Sequence, residues 1–232
     1  SYGAYGTFGT TLPFFDTTAL AWPERGGVLA FAHPRGGGEF GEDWHRAGMK
    51  ETKLNTVFDT IACAEYLVEH KFTNPKKLAV SGASAGGIAM GGAITWKPHL
   101  FAAAIDHAGV TDMLRFETTA NGPDNVPEFG SVKTEAGFRA LHAMSPYVNV
   151  KDGVAYPAVL LEAGYNDPRV DAWVVGKMAA RLQAATSSGK PVLLRVDFDS
   201  GHFRGNTDQA AELLADEWSF LLWQFGDPEF QP

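Results

Sequence analysis

The sequence predicts an α/β protein with a mostly parallel sheet and helices on both of its faces. Short apolar segments alternate with longer helical patterns along the 232 residues, which is typical of βαβ units. The strand-like segments are apolar almost throughout, as expected when both faces of a parallel sheet are buried. We expect one catalytic domain over residues 1–232, because α/β chains of this length commonly form a single core.

Five segments are predicted to form strands and five to form helices. The strands are expected at residues 27–32, 78–81, 102–107, 158–162 and 192–197. The helices are expected at residues 55–70, 86–95, 138–144, 171–185 and 207–225. The last of these helices has a broad apolar face, which we expect to lie against the sheet.

The composition narrows the classes of function. Apolar residues make up 45% of the chain and charged residues 20%, as in soluble proteins with a packed core. We expect no nucleic-acid partner, because the net charge is -8 and no run of Lys or Arg offsets it. We expect no membrane partner, since residues 78–96 are mostly Gly, Ala and Ser. Cys63 is the only cysteine, which excludes an internal disulfide and a cysteine-cluster metal site, and we expect neither metal nor cofactor.

Ser84 is the candidate nucleophile. It lies in the run Gly82-Ala83-Ser84-Ala85-Gly86, between a predicted strand and a predicted helix. A G-x-S-x-G motif in that place forms the nucleophile elbow of the α/β-hydrolase fold. Small residues two before and two after the serine let the backbone pass closely, and the backbone N–H of Ala85 then faces a developing oxyanion. The alternative, a dinucleotide-binding turn, lacks its G-x-G-x-x-G spacing here.

Asp167 and His202 are the candidate acid and base. In this fold the order along the chain is serine, acid, histidine, and the acid and the histidine each follow a later strand. Both residues stand directly after a predicted strand. His107 also follows a strand and stays a rival base. For the acid, Glu162 and Asp171 rank below Asp167, because Glu162 lies within a strand and Asp171 opens a helix.

Several longer motifs are specific to one family. They are YGAYG at 2–6, RGGGEFGEDWH at 35–45, AEYL at 64–67, GASAGG around Ser84, GVTDMLRF at 109–116, SPY at 145–147, NDPRV at 166–170 and GH at 201–202. On these motifs the chain resembles the catalytic domain of the prolyl oligopeptidase family over nearly all of its length. The resemblance implies a serine peptidase that cleaves oligopeptides through an acyl-enzyme. An esterase or amidase that uses the same triad on small acyl substrates stays the alternative.

The resemblance also implies roles for residues outside the triad. Tyr2 would donate its phenolic O–H to the oxyanion hole beside Ala85, and Arg169 would hold a peptide carbonyl of the substrate. The walls of a substrate pocket would be formed by Tyr5, Phe116, Asn125 and Phe129. Asn125 stands where prolyl-specific members have a tryptophan, so the residue preferred at the scissile bond stays open.

Members of this family carry further segments ahead of the position of Tyr2. These segments are a β-propeller and several strands of the sheet, one of which would lie between residues 27–32 and 78–81. We therefore expect the 232 residues to be part of a longer polypeptide that supplies the propeller and the missing strands. We expect a cytoplasmic protein, and a periplasmic one stays open.

Overall fold

A parallel sheet forms the centre of the protein. The computed structural model describes residues 1–7, 20–202 and 206–232. Within these ranges the strands are β1 (Ala79–Ala83), β2 (Ala103–His107), β3 (Ala158–Gly164) and β4 (Val192–Asp197), and they lie side by side in that order. β3 is buried along its whole length because it has a neighbour on each side, whereas β4 is partly exposed. Four of the five predicted strands are thereby confirmed.

Helices connect the strands. They are α1 (Ala21–Glu24), α2 (Glu42–Arg46), α3 (Leu54–Glu69), α4 (Gly86–Trp96), α5 (Met113–Phe116), α6 (Val126–Phe129), α7 (Glu135–Met144), α8 (Pro146–Asn149), α9 (Ala172–Ala185) and α10 (Thr207–Gln224). The five predicted helices are confirmed as α3, α4, α7, α9 and α10, with small differences at their ends. Among the described residues, no helix is both long enough and apolar enough to cross a membrane.

The helices cover both faces of the sheet, as the fold class predicts. One face packs against α4 and α9, and α3 packs against α4; Val57, Ile88 and Val174 of these helices belong to the main core. The opposite face packs against α10, where Phe220 joins a smaller apolar cluster with Leu160 of β3. Because the strands are parallel, their carboxyl ends lie at one edge of the sheet, and the loops that follow them meet there.

Residues 27–32 do not form a strand, and that prediction is wrong for the chain as it stands. Val28 is 76% exposed and Phe31 56% exposed. An apolar run becomes a strand only where a neighbour satisfies its backbone groups, and no described segment pairs with this one. β1 is an edge strand of the described sheet, and the ammonium group of Ser1 donates to the carbonyl oxygen of its Ser81 at 2.9 Å. The family resemblance places a further strand between residues 27–32 and β1.

Candidate active site

Ser84 occupies a strained turn between β1 and α4. Its φ angle is +52°, in the left-handed region that residues other than glycine rarely adopt. Two backbone hydrogen bonds hold this conformation. The Ser84 N–H donates to the carbonyl oxygen of His107 at 2.9 Å, and the Val110 N–H donates to the carbonyl oxygen of Ser84 at 2.8 Å. Such strain persists only where the surroundings enforce it, and it is typical of functional sites.

The glycines on both sides of the turn are required by its packing. A Cβ atom on Gly82 would lie 2.2 Å from the carbonyl oxygen of Gly86. A Cβ atom on Gly86 would lie 2.7 Å from the carbonyl oxygen of Ser1. Ala85 is fully buried at the beginning of α4, where backbone N–H groups have no partner inside the helix. The elbow therefore has the close backbone approach that the G-x-S-x-G spacing predicts.

Asp167 and His202 form a hydrogen-bonded pair. Nδ1 of His202 lies 2.7 Å from Oδ2 of Asp167. The other carboxylate oxygen accepts the backbone N–H groups of Arg169 at 2.8 Å and Val170 at 3.0 Å. Burial acts to raise the pKa of Asp167, but these hydrogen bonds outweigh it and hold the pKa below its ordinary value. Because an ionised carboxylate only accepts hydrogen bonds, Nδ1 of His202 is the donor and Nε2 is left to accept a proton.

Tyr2 stands beside the elbow. A Cβ atom on Gly86 would lie 3.4 Å from Cδ2 of the Tyr2 ring, so the ring packs directly over the first turn of α4. Burial raises the pKa of the Tyr2 hydroxyl, and the Glu128 carboxylate adds to the rise, while the charge of Arg169 and a hydrogen bond with Ser84 act against it. The phenol therefore stays protonated at neutral pH and can donate a hydrogen bond.

One cavity joins these side chains. It has a volume of about 780 Å³, and its lining includes Tyr2, Ser84, Arg169 and His202. Asp167 does not line it and is buried behind the ring of His202. A substrate in this cavity would meet the Ser84 hydroxyl, the His202 ring, the Tyr2 hydroxyl and the Arg169 guanidinium. The roles of the individual residues stay predictions.

The four residues expected to form the substrate pocket lie together but mostly inside the protein. Phe116 is 3% exposed, Phe129 2% and Asn125 8%. Phe116, Asn125 and Phe129 line a separate, narrow space of about 10 Å³ and not the cavity that contains Ser84. Tyr5 is more exposed, and its hydroxyl donates to Oδ1 of Asn125 at 2.5 Å, while Nδ2 of Asn125 donates to the Asn121 carbonyl at 2.6 Å. Both ends of the Asn125 amide are thus engaged within the protein, and its contact with substrate stays a prediction.

His107, the rival base, belongs to a second chain of hydrogen bonds. Its Nδ1 lies 2.9 Å from Oε2 of Glu162, and its Nε2 lies 3.0 Å from the hydroxyl oxygen of Ser81. This arrangement also joins serine, histidine and a carboxylate. However, Ser81 lies within β1, without a left-handed turn and away from the beginning of α4. The geometry therefore favours Ser84 as the nucleophile.

The same histidine belongs to a set of donors that could hold a metal ion. His107, Glu162 and Glu217 place one ligand atom each within 4.8 Å of one another. Glu217 comes from α10, whereas the other two residues lie on neighbouring strands. The sequence did not single out this set as ligands.

Sequence reasoning also missed a buried ion pair beside residues 2–6, the Tyr2 segment. Lys53 is completely buried, and its Nζ lies 3.6 Å from Oε1 of Glu128. Burial lowers the pKa of Lys53 to about 8, although the charge of Glu128 opposes the shift. A signal was present, because Lys53 precedes Val57 and Ile61 at four-residue spacing along the buried face of α3. A charged residue in such an apolar stripe needs a buried partner.

Comparisons with known proteins agree on one family. The family model described as "Prolyl oligopeptidase family" matches residues 13–228. A prolyl endopeptidase from Elizabethkingia miricola is 37% identical over 226 residues, which cover 96% of this chain and 32% of that protein. The dual function macrocyclase-peptidase POPB from Amanita bisporigera is 39% identical over 228 residues, or 96% of this chain and 31% of that protein. The chain thus spans about a third of the length of the curated relatives it matches.

Solved structures give the same result. Oligopeptidase B from Leishmania major superposes with a TM-score of 0.91 at 31% identity, over 97% of this chain and 31% of that one. Prolyl oligopeptidase B from Galerina marginata, bound to a 35mer hydrolysis and macrocyclization substrate, superposes with a TM-score of 0.89 at 33% identity. That match covers 97% of this chain and 32% of the other. The likeness extends over nearly every residue and includes the elbow, the sheet and the helices on both faces.

Proposed function

Since the chain belongs to the prolyl oligopeptidase family, we propose that it carries the catalytic residues of a serine peptidase that hydrolyses oligopeptides. One observation supports this above all. Ser84, in its left-handed turn, opens on the same cavity as His202, whose ring is bonded to Asp167. This constellation suits nucleophilic acyl transfer.

Acylation begins with proton transfer from the Ser84 hydroxyl to Nε2 of His202. The serine oxygen forms a bond with the carbonyl carbon of the substrate, and the carbonyl oxygen becomes an oxyanion. The Ala85 N–H and the Tyr2 O–H donate hydrogen bonds to this oxyanion, and Asp167 stabilises the imidazolium that forms. When the carbon–nitrogen bond breaks, His202 returns the proton to the leaving amine.

Deacylation repeats these steps with water as the nucleophile. His202 takes a proton from the water, whose oxygen bonds to the acyl carbon, and the same two donors stabilise the second oxyanion. The Ser84 oxygen leaves and takes back the proton from His202. Ester and amide substrates share this chemistry, so the triad alone does not choose between them.

The substrate class is inferred from the relatives. Those named above are peptidases, and one was solved with a 35mer substrate. We extend this to oligopeptides for the present chain, with Arg169 at the cavity as the group that grips a backbone carbonyl. No preference for proline is proposed, because Asn125 is buried and bonded within the protein.

The rest of the catalytic unit is also a proposal. Residues 27–32 are apolar and mostly exposed, and β1 is an edge strand of the described sheet. We propose that another segment of the polypeptide pairs with β1, and that a β-propeller restricts the size of substrates, since the relatives are about three times as long.

The nucleophile can be tested with a fluorophosphonate probe on the complete polypeptide that contains these residues. Peptide mapping by mass spectrometry should place the adduct on Ser84, and Ser84→Ala should abolish labelling and lower kcat by roughly 10³ to 10⁶. Ser81→Ala is the matched control, because it removes a serine three residues away that bonds His107. Loss of labelling in the Ser81 variant with retention in the Ser84 variant would reverse the assignment.

The substrate class needs a second comparison. The value of kcat/KM should be measured for internally quenched peptides of about 6 to 12 residues and for p-nitrophenyl esters. Efficient turnover of the peptides supports an oligopeptidase. Turnover of esters alone, with intact Ser84 labelling, would identify an esterase that uses the same triad.

A further inference from the structure

The segment that carries Tyr2 has an unusual backbone. Gly3 has a φ of +68°, Tyr5 of +60° and Gly6 of +58°. Glycine adopts such angles readily, but Tyr5 has a bulky side chain, so its left-handed conformation is unfavourable. The segment therefore needs contacts from the rest of the protein to keep this shape, and the position of the Tyr2 hydroxyl depends on them.

One buried ion pair grips both sides of this turn. Oε1 of Glu128 accepts the Tyr5 backbone N–H at 3.0 Å, and Nζ of Lys53 donates to the Gly3 carbonyl at 2.5 Å. The Lys53 side chain is fully buried and that of Glu128 is 6% exposed. Hydrogen bonds between charged groups and buried backbone are roughly twice as strong as those between neutral groups. The pair therefore fixes the backbone directly after Tyr2.

The second oxygen of Glu128 is held as well. Oε2 lies 2.8 Å from Nε2 of His45, which belongs to α2. Glu128 itself lies on α6, next to Phe129, whose ring contacts Tyr5 at 5.5 Å between centroids. The carboxylate thus connects three separate parts of the chain: the Tyr2 segment, the loop around Asn125, and α2.

We propose that Glu128 is a positioning residue for the oxyanion hole, because its carboxylate, together with Lys53, sets the Gly3–Tyr5 backbone and thereby the Tyr2 hydroxyl. The inference rests on the proposed function, which makes Tyr2 a donor to the oxyanion. Glu128 touches neither substrate nor reacting atoms. It acts through Tyr2, whose ring is packed between this turn and Gly86.

The test is Glu128→Gln in the complete polypeptide. Glutamine keeps one oxygen for the Tyr5 N–H, but its other end becomes an NH₂ group and the charge that balances Lys53 is lost. A displacement of the oxyanion donor by a fraction of an ångström to about 1 Å should lower kcat by about 10- to 100-fold, with KM changed by less than about threefold. A rise in KM at unchanged kcat would overturn the proposal.

Glu117→Gln is the matched control. Its carboxylate is also shielded and accepts hydrogen bonds from the Ser131 hydroxyl at 2.8 Å and the Val132 N–H at 2.8 Å, so it holds residues 131 and 132 where Glu128 holds Tyr5. The same change of charge should leave kcat within about twofold of wild type. An equal loss of kcat in both variants would show a general effect of removing a buried carboxylate, and would overturn the proposal.

A double-mutant cycle with Tyr2→Phe separates positioning from structure. If Glu128 acts through the Tyr2 hydroxyl, Glu128→Gln should lower kcat by less than about threefold once that hydroxyl is gone. If the kcat losses of the two single variants multiply fully in the double variant, the proposal is overturned. If Glu128→Gln does not fold, His45→Asn takes its place in the cycle, because it removes the bond to Oε2 and keeps the Glu128 carboxylate. It should show a smaller loss with the same dependence on Tyr2.

The two proposals fail in different ways. A wild-type polypeptide without Ser84-dependent turnover would contradict the proposed function itself. Normal wild-type turnover with independent effects of Glu128 and Tyr2 would contradict only the positioning role.

Discussion

The ring of Tyr2 occupies the space beside Gly86 that a larger side chain at residue 86 would need. A Cβ atom on Gly86 would lie 3.4 Å from Cδ2 of Tyr2 and 2.7 Å from the carbonyl oxygen of Ser1. The first distance is at the limit of ordinary contact, and the second is shorter than real Cβ contacts. Gly86 is therefore the residue that allows Tyr2 to approach the nucleophile elbow.

Gly86→Ala should displace the Tyr2 segment and lower kcat by about 10- to 100-fold, with a small change in KM, because the oxyanion interaction is made in the transition state. The measurement is steady-state kinetics on a peptide substrate. Alanine is the better helix former at the first position of α4, so a loss of activity cannot be ascribed to helix propensity.

Gly176→Ala is the control for this substitution. Gly176 lies inside α9, and the nearest atom to an added Cβ would be 4.0 Å away. This variant should keep wild-type kinetics and gain about 0.5 to 1 kcal/mol in the free energy of unfolding. If Gly86→Ala behaves in the same way, the contact with Tyr2 has no part in catalysis.

Asp167→Asn should lower kcat by roughly 10³ to 10⁴, because the amide no longer fixes the proton of His202 on Nδ1. The pKa of Asp167 is held below its ordinary value of 3.8 in the folded protein. Its ionised form therefore stabilises the fold above pH 4 or so, and this contribution is lost as the pH falls through the lower folded pKa. The stability difference between wild type and Asp167→Asn should shrink as the pH falls below about 4. The free energy of unfolding of both proteins should be measured by chemical denaturation at intervals of about half a pH unit. A difference between them that stays constant down to about pH 2 would show that the pKa of Asp167 is not lowered.

Lys53 should make the fold more stable as the pH rises from 8 towards 10.5. Burial lowers its pKa to about 8 from an ordinary value of 10.5, so in this window the unfolded chain binds the extra proton. The free energy of unfolding therefore increases with pH through this residue. The reference is the double variant Lys53→Met/Glu128→Gln, which leaves no uncompensated buried charge. Between pH 8 and about 9.5 most tyrosine hydroxyls are protonated in both the folded and the unfolded chain, so subtracting the profile of the double variant isolates Lys53 there. A flat difference in that range would contradict the lowered pKa.

The fold was predictable where local patterns determine it. β1, β2, β3 and β4 follow from apolar runs between helical periods, and each has a partner within the chain. Residues 27–32 have the same kind of pattern, yet they are exposed, because a strand also needs a neighbour that the pattern does not reveal.

The site was predictable to the extent that it follows the topology. Ser84, Asp167 and His202 stand after strand ends, and parallel strands bring those ends to one edge. The bond between Glu128 and the Tyr5 backbone joins residues far apart in the sequence, so no local pattern encodes it. The position of Asn125 was hidden for the same reason, since its amide accepts a hydrogen bond from Tyr5, which is also far away in the sequence.

Arg169 is exposed at the cavity that Ser84 lines, while its backbone is held from both sides. Its N–H donates to Oδ1 of Asp167 at 2.8 Å, and its carbonyl oxygen accepts Nδ2 of Asn121 at 3.3 Å. Both of these bonds are made by backbone atoms, so Arg169→Ala keeps them. We expect it to grip a peptide carbonyl in both ground and transition states, so Arg169→Ala should act mainly on KM.

A charge-assisted hydrogen bond of roughly 1.5 to 3 kcal/mol corresponds to a 10- to 150-fold loss in kcat/KM for peptides. Small p-nitrophenyl esters, which have no second carbonyl for the guanidinium to hold, should lose much less. Arg139→Ala is the control, because that arginine pairs with Glu135 on the exposed surface of α7. Equal losses on peptides and esters, or a melting temperature well below that of the Arg139 variant, would make Arg169 a structural residue. The case for a peptidase would then depend on the family alone, and an esterase would explain the site equally well.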